Sequence, residues 1–80
     1  MTTVHIQYYA LLREQAGTSR EDCKTDASSA AGLYDELRQK YAFTLARSQL
    51  RVAINGEFAD WDSPLSDGMD IVFIPPVAGG

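Results

Sequence analysis

The sequence predicts an α+β fold in which about five strands form one mixed sheet and one main helix covers a single face of it. The first stretch alternates apolar and polar residues, the last is a short apolar run, and one amphipathic stretch lies between them. The predicted order is strand, strand, helix, strand, short strand, strand. Because the first and last strands are the most apolar, we expect them to lie side by side at the centre of the sheet.

The first strand shows the period of two that is typical of a strand with one buried face. Its buried positions are Val4, Ile6 and Tyr8. Tyr9 falls on the other face, where it is a large aromatic residue to leave exposed. We expect His5 to be an ordinary exposed strand residue, because no carboxylate or nucleophile accompanies it in sequence.

A short connection and a polar second strand follow. Residues 11–17 suit one helical turn that ends at Gly17. For Arg13 and Glu14 within it, we favour an ion pair that shapes the loop over contact with a partner. Residues 21–25 form a strand antiparallel to the first. Cys23 in this strand is expected to be half-buried and not a nucleophile, because nothing nearby in sequence supplies a base. A single cysteine and a single histidine also argue against a disulfide or a metal site of the usual kind.

The main helix is the clearest element of the sequence. Ser28 and Ser29 are candidate N-caps, and the helix runs to about Tyr41. Its apolar positions share the i, i+3, i+4, i+7, i+11 spacing of a single stripe. They are Ala30, Leu33, Tyr34, Leu37 and Tyr41. This stripe predicts contact with the core and not a cofactor site.

The second half of the chain reads as a hairpin and a final strand. After a connector of residues 42–49, residues 50–54 form the third strand. Asn55-Gly56 predicts a type I′ turn into a short fourth strand. Turn-forming residues fill positions 62–68, and residues 69–74 form the last strand. With one helix between two strand pairs, this order is the β-grasp architecture of ubiquitin-like proteins.

Strand parity separates two faces of the last strand. Ile71 and Phe73 point to the core, so their neighbours point to the opposite face of the sheet. The large apolar residues expected on this outer face are Tyr9, Phe58, Val72 and Ile74. Such a cluster next to the end of the last strand indicates a protein-binding surface.

The last residues predict a short tail on a domain of residues 1–76. Pro75 and Pro76 end the strand, because neither has an N–H for a sheet ladder. Residues 77–80 are small and uncharged, and we predict that they form a flexible tail. The tail reaches roughly 13 Å at about 3.3 Å per residue. Because Gly79 and Gly80 lack a Cβ, they can enter a passage too narrow for other residues.

Composition limits the partners and the compartment. The net charge of −4 argues against nucleic acid or an anionic membrane as partner. No apolar run approaches eighteen residues and no signal-peptide pattern is present, so we expect a cytoplasmic protein. All seven basic residues lie within residues 1–51, whereas residues 52–80 carry five acidic residues and no basic one. This asymmetry favours a basic surface on the partner.

The ending resembles that of the molybdopterin synthase small subunits, the sulfur carriers of molybdenum cofactor synthesis. The residues that carry this resemblance are Phe73-Ile74-Pro75-Pro76-Val77-Ala78-Gly79-Gly80, Tyr8-Tyr9-Ala10, Leu12-Arg13-Glu14, Gly17, Val52-Ala53-Ile54-Asn55-Gly56 and Pro64-Leu65-Ser66-Asp67-Gly68. Together these segments are specific, whereas the diglycine alone is not. Some members carry Thr at the position of Ala78, which is a small residue as well.

The resemblance implies a function for the tail. An activating enzyme uses ATP to adenylate Gly80, next to Gly79, and sulfur from a donor protein then gives a C-terminal thiocarboxylate. The carrier inserts this group into the active site of a large subunit, where it forms the dithiolene of molybdopterin from cyclic pyranopterin monophosphate. The chain itself binds no cofactor and has no complete active site.

The resemblance also implies the assembly, whereas the contact residues follow from the outer-face cluster and the tail. Two small and two large subunits form a heterotetramer. The expected partner-binding residues are Tyr9, Phe58, Ile74, Pro75, Pro76, Val77 and Ala78. Two alternatives share the diglycine ending: a sulfur carrier for thiamine or tRNA thiolation, and a ubiquitin-like modifier that forms isopeptide bonds through Gly80.

Overall fold

A computed structural model describes residues 1–76, so the predicted tail of residues 77–80 lies outside the described part of the chain. The elements are β1 (Thr2–Tyr8), α1 (Ala10–Ala16), β2 (Arg20–Thr25), α2 (Ala30–Tyr41), a 3₁₀ helix (Arg47–Gln49), β3 (Arg51–Ile54), β4 (Glu57–Ala59) and β5 (Asp70–Ile74). They follow the predicted order, and each strand begins and ends within two residues of its predicted position.

The five strands form one mixed sheet in the order β2-β1-β5-β3-β4. β1 and β5 lie side by side and parallel, with Ile6 opposite Ile71, which confirms the prediction that the two most apolar strands are central. β2 is antiparallel to β1, and β3 is antiparallel to both β5 and β4. The two antiparallel pairs therefore flank a parallel centre, as a β-grasp sheet requires.

The core lies between α2 and one face of the sheet, which we call the inner face. Its largest fully buried side chains are Tyr8, Tyr34, Phe73, Ile6, Leu12, Leu33, Leu37, Ile71, Val4 and Val52. The predicted faces of β1, β5 and α2 are thus confirmed. Full burial of a side chain of the size of Leu or Phe contributes about 1.5–3 kcal/mol.

Helix α2 has the predicted boundaries and a defined N-cap. Ser29, not Ser28, is the cap, and its Oγ accepts a hydrogen bond from the N–H of Gly32 at 3.2 Å. Such a cap stabilises a helix by about 1 kcal/mol. The helix ends at Tyr41, where Ala42 adopts the left-handed conformation and its N–H is directed to the carbonyl of Arg38.

The Asn55-Gly56 turn also matches its prediction. Both residues have positive φ angles, 52° and 87°, as a type I′ turn requires. The side chain of Asn55 accepts a hydrogen bond from the N–H of Asp70 at 2.9 Å, and the N–H of Asn55 donates to the carbonyl of Asp70 at 2.8 Å. The turn is therefore attached to the start of β5 and fixes where that strand begins.

Two predictions about residues 11–17 are wrong. α1 has seven residues and not a single turn, because buried Leu12 anchors it to the core. It does end at Gly17, whose φ of 77° is left-handed. Arg13 and Glu14 are both exposed, and no ion pair joins them within residues 1–76. Adjacent residues on a helix do not face each other, so this pairing is geometrically unfavourable.

Two aromatic residues outside the predicted elements complete the core. Phe43 follows α2 and stacks on Tyr34, with ring centroids 5.8 Å apart. Trp61 follows β4 and stacks on Phe73 at 5.9 Å. Neither residue belongs to a periodic segment, so the sequence offered no pattern that indicates their burial.

A polar group lies at the edge of this core. Glu21 accepts hydrogen bonds from the hydroxyls of Tyr8 and, at 2.8 Å, Tyr41, and Lys40 lies 3.5 Å from its other oxygen. Burial, reinforced by the hydrogen bond to Glu21, raises the pKa of Tyr8 far above its usual value. Glu21 thus joins β1, β2 and the end of α2.

Candidate docking face and tail root

The face of the sheet opposite α2, here called the outer face, carries an apolar groove of about 550 Å³. Its principal lining residues are Tyr9, Phe58, Val72, Ile74, Pro75 and Pro76. Five of these six are residues that the sequence predicted as partner-binding, and Val72 was predicted for the same face. The other two predicted partner-binding residues, Val77 and Ala78, lie outside the described residues, as do Gly79 and Gly80.

Strand register explains why these side chains meet. Ala53 of β3 lies opposite Val72 of β5 on one side and opposite Phe58 of β4 on the other. Residues directly opposite each other on neighbouring strands place their side chains on the same face. The methyl group of Ala53 is therefore the low centre of the groove, and the larger side chains of Val72 and Phe58 stand on either side of it.

The groove contains two aromatic side chains that remain exposed in the isolated domain. Phe58 is 67% exposed and Tyr9 is 45% exposed, and both line the same groove. Single exposed apolar residues are ordinary, but a contiguous cluster of them marks a site for protein interaction. Aromatic residues are also the side chains most often found at energetic centres of interfaces.

The groove ends at the root of the tail. Ile74 is the last residue of β5, and Pro75 and Pro76 follow it along the wall of the groove. The same three residues also border a second hollow of about 340 Å³ beside the 3₁₀ helix. Residues 77–80 follow Pro76 in the chain.

The remainder of the outer face is polar. His5 lies opposite Asp22 in the β1–β2 register, and its Nδ1 is 2.6 Å from a carboxylate oxygen of Asp22. No carboxylate lies near His5 in sequence, and strand pairing supplies one because it brings together residues 17 positions apart. Within residues 1–76 there is no group of three or more His, Cys, Asp or Glu that could hold a metal ion.

Cys23 lies away from this face. It is half-buried beside the core, as predicted. Burial, and next the negative charge of Glu21, raise the pKa of its thiol. A thiol with a raised pKa is a poor nucleophile, because the thiolate is the reactive form.

Within the described residues, no helix is long and apolar enough to cross a membrane.

The sheet order and the single long helix on the inner face define a ubiquitin-like β-grasp protein, and the apolar groove on its outer face ends at Pro75 and Pro76. The ThiS family model matches residues 6–80, and the chain belongs to the ThiS family.

Individual relatives confirm the resemblance to molybdopterin synthase sulfur carriers. The chain is 35% identical over 83 aligned positions to the molybdopterin synthase sulfur carrier subunit of Mycobacterium tuberculosis, with 100% of both chains covered. Its fold is similar to the putative molybdopterin converting factor subunit 1 of Pyrococcus furiosus, with a TM-score of 0.81, 24% identity and coverage of 96% and 100%.

A further solved structure with the same fold comes from an assembly. A chain of the complex of subunits 1 and 2 of the molybdopterin-converting factor from Helicobacter pylori matches with a TM-score of 0.70 and 24% identity. This match covers 99% of the present chain and 100% of that chain. The fold of the present chain therefore occurs in a protein that is found joined to a second subunit.

Proposed function

We propose that this chain is the sulfur-carrier subunit of a molybdopterin synthase and that Gly80 carries the sulfur. The observation that supports this most directly is the apolar groove on the outer face, which is continuous with Pro75 and Pro76 at the root of the tail. Membership of the ThiS family and the relatives named as molybdopterin synthase subunits support it further. A docking face that leads to the tail is what a carrier needs, since its reactive end must enter another protein.

The chemistry begins with activation of the terminal carboxylate. A carboxylate is a poor electrophile, so an activating enzyme first joins the Gly80 carboxylate to the α-phosphate of ATP and releases pyrophosphate. A sulfide equivalent from a sulfur donor protein then attacks the acyl carbon of the adenylate, and AMP leaves. The product is a thiocarboxylate at Gly80. ATP is consumed by the activating enzyme, and this chain needs no bound cofactor; we place these steps in the cytoplasm.

Sulfur transfer then takes place in a large subunit, within a heterotetramer of two small and two large subunits. The groove residues Tyr9, Phe58 and Ile74 bind the large subunit, and the segment from Pro75 to Ala78 leads Gly79 and Gly80 to cyclic pyranopterin monophosphate. The thiocarboxylate sulfur attacks a carbon of the pterin precursor, water then cleaves the bond between this sulfur and the acyl carbon of Gly80, and Gly80 returns to a carboxylate. Two carriers supply the two sulfurs of the dithiolene. The carrier contributes by holding the nucleophile in position, since misplacement by about 1 Å can cost on the order of 100-fold in rate.

Shortening the tail is the most direct test. Deletion of Gly80 withdraws the reactive carbonyl by up to about 3.5 Å, and Gly79→Val adds a β-branched side chain where only glycine is expected to pass. We expect both variants to keep the wild-type melting curve and large-subunit affinity within an order of magnitude, but to lose dithiolene formation. The assay contains large subunit, activating enzyme, ATP, a sulfur source and the pterin precursor.

Three outcomes would contradict the proposal. Normal turnover by the Gly80 deletion would exclude Gly80 as the sulfur carrier. Isopeptides of Gly80 with cellular lysines, without any thiocarboxylate in the intact mass, would identify a protein modifier instead. A thiocarboxylate on a chain that co-purifies with thiamine or tRNA thiolation enzymes, and not with a large subunit, would assign the carrier to another pathway.

A further inference from the structure

Arg51 occupies a distinctive position at the edge of the outer-face groove. It is the first residue of β3 and lies opposite Ile74, the last residue of β5, which Pro75 and Pro76 follow. Its guanidinium carbon lies 5.5 Å from the centre of the Phe58 ring, on the exposed aromatic wall of the groove. The side chain is exposed. Arg51 is thus adjacent both to the groove and to the root of the tail.

The charge of Arg51 has no close partner within the domain. The ion pairs among residues 1–76 are His5–Asp22, Lys40–Glu21 and Arg47–Asp35, and none involves Arg51. Asp60 follows β4 and borders the same small hollow as Arg51, yet the two side chains do not form an ion pair. The guanidinium lies over Phe58 instead.

Arg51 is also the last basic residue of the chain, and the acidic residues after it in sequence are Glu57, Asp60, Asp62, Asp67 and Asp70. Asp60 borders the same hollow as Arg51. A basic partner surface that faces this acidic segment and extends over Asp60 would repel Arg51, unless the partner places a negative charge at this one point. Like charges brought together at an interface cost several kcal/mol.

The stack on Phe58 prepares Arg51 to be buried. A guanidinium is more weakly hydrated than an ammonium, it binds carboxylates in a bidentate fork, and stacking on an aromatic ring restricts its motion before binding. A partner that covers Phe58 removes water from the guanidinium above it. A charge that loses water in this way needs an opposite charge to pair with.

We propose that Arg51 is a specificity-determining residue of the docking face and that it receives a carboxylate of the large subunit. This inference rests on the proposed function, because it assumes that the outer-face groove binds that subunit. The carboxylate fixes the orientation of docking, since it must meet the guanidinium over Phe58 while basic groups of the partner face Asp60 beside it. A partner that has an apolar surface of the right shape but lacks this carboxylate is rejected.

The test measures the affinity of the purified large subunit from the same organism for the full-length carrier by isothermal titration calorimetry. We expect Arg51→Met, which keeps an apolar stem over Phe58, to weaken binding about tenfold and Arg51→Glu to weaken it about 100-fold. Arg51→Lys keeps the charge but not the fork, so its loss should be smaller than that of Arg51→Met. Raising the ionic strength should weaken binding of the wild type more than binding of Arg51→Met. It should also reduce the difference in affinity between the wild type and Arg51→Glu.

Arg47→Met is the matched control, because it makes the same change of side chain and charge. Arg47 lies 3.5 Å from Asp35 of α2 and borders a hollow away from the outer-face groove. The affinity of Arg47→Met for the large subunit should therefore stay within about twofold of the wild-type value. Melting curves check that the variants fold. If Met at position 51 disturbs the fold, the difference between Arg51→Lys and Arg51→Glu, measured at two ionic strengths, gives the same answer.

The outcomes separate this inference from the proposed function. Tight binding by the wild type with equal affinities for Arg51→Met and Arg47→Met overturns the role of Arg51 and leaves the sulfur-carrier function intact. Equal affinities for Arg51→Lys and Arg51→Glu overturn it as well. Absence of binding by the wild type to the large subunit overturns the proposed function, and the inference about Arg51 with it.

Discussion

The two faces of β5 differ in what they contact, although they belong to the same five residues. On the inner face, Ile71 and Phe73 are at most 1% exposed and lie in the core beneath α2. On the outer face, Val72 and Ile74 are only partly buried and line the groove that leads to Pro75. One face is complete within the domain, whereas the other has apolar surface that no element of residues 1–76 covers.

The aromatic residues show the same difference. Phe73 has Tyr34 at 5.2 Å and Trp61 at 5.9 Å between ring centroids, so its ring is enclosed on several sides. Phe58 has the guanidinium of Arg51 at 5.5 Å and is otherwise largely open to solvent. Removal of apolar surface from water is favourable. The inner face is buried when the domain folds, so it contributes to the stability of the fold. The outer face can be buried only by a partner, so it can contribute to association. Substitutions should therefore separate stability from binding.

The largest expected effect is on the inner face. Phe73→Ala should lower the free energy of unfolding by about 3–5 kcal/mol, because it removes a fully buried ring and leaves a cavity. Small domains are marginally stable, at about 5–15 kcal/mol, so the variant should be close to unfolded at physiological temperature. Urea denaturation followed by circular dichroism measures the change. The control is Ile74→Ala on the same strand; an equal loss of stability there would show that the two faces are not distinct.

The next effect is on the outer face and concerns binding. Phe58→Ala and Ile74→Ala should each weaken the affinity for the large subunit by about tenfold or more, since both remove apolar surface that lines the groove. The melting temperature should change little, because Phe58 is largely exposed and Ile74 is only partly buried. Calorimetric titration and thermal melting of the same samples make the comparison. Unchanged affinity in both variants would mean that the groove is not the docking site.

A third prediction uses pH to probe the inner face. Burial raises the pKa of Tyr8, so the folded state retains its proton at pH values where the unfolded chain loses it. This stabilisation is fully present below the unfolded pKa of about 10, and it is lost as pH rises above that value, at about 1.4 kcal/mol per pH unit. Tyr8→Phe should remove this part of the alkaline destabilisation, at a cost of about 1 kcal/mol at neutral pH for the lost hydrogen bond to Glu21.

The measurement is the free energy of unfolding of both proteins at several pH values from neutral to above 10. The difference between them isolates Tyr8, because other alkaline groups are common to the two chains. Parallel pH curves would contradict the raised pKa. The wild type should be the more stable protein at neutral pH, and this advantage should shrink and then reverse as the pH rises above about 10.

The smallest expected effect is at Arg13. Its guanidinium is exposed and makes no ion pair within residues 1–76, so Arg13→Ala should change the free energy of unfolding by less than about 0.5 kcal/mol. Thermal melting provides the check, with Leu12→Ala as the contrasting variant on the same helix. Leu12 is fully buried, and its truncation should cost about 2–5 kcal/mol. A loss of that size at Arg13 would reveal a structural contact for its side chain.

The sequence by itself determined the elements whose pattern is local. Alternation in β1 and strand parity within the apolar run of β5 identified the two faces of the sheet, the apolar stripe identified α2, and Asn55-Gly56 identified the hairpin turn. These signals suffice because a period of two or 3.6 residues and the sign of a φ angle depend on residues close in the chain. The cluster of Tyr9, Val72 and Ile74 on the outer face followed from parity once β1 and β5 were expected to be neighbours, and Phe58 was added from the short fourth strand.

Only the tertiary structure decided which distant side chains meet. It placed Phe43 and Trp61 in the core, paired His5 with Asp22 and laid the guanidinium of Arg51 over Phe58. It also showed that the side chains of Arg13 and Glu14 form no ion pair with each other, although these residues are adjacent in sequence. The physical reason is that such contacts depend on strand register and loop path. These are set by the packing of the whole chain, and no periodic pattern in a short segment encodes them.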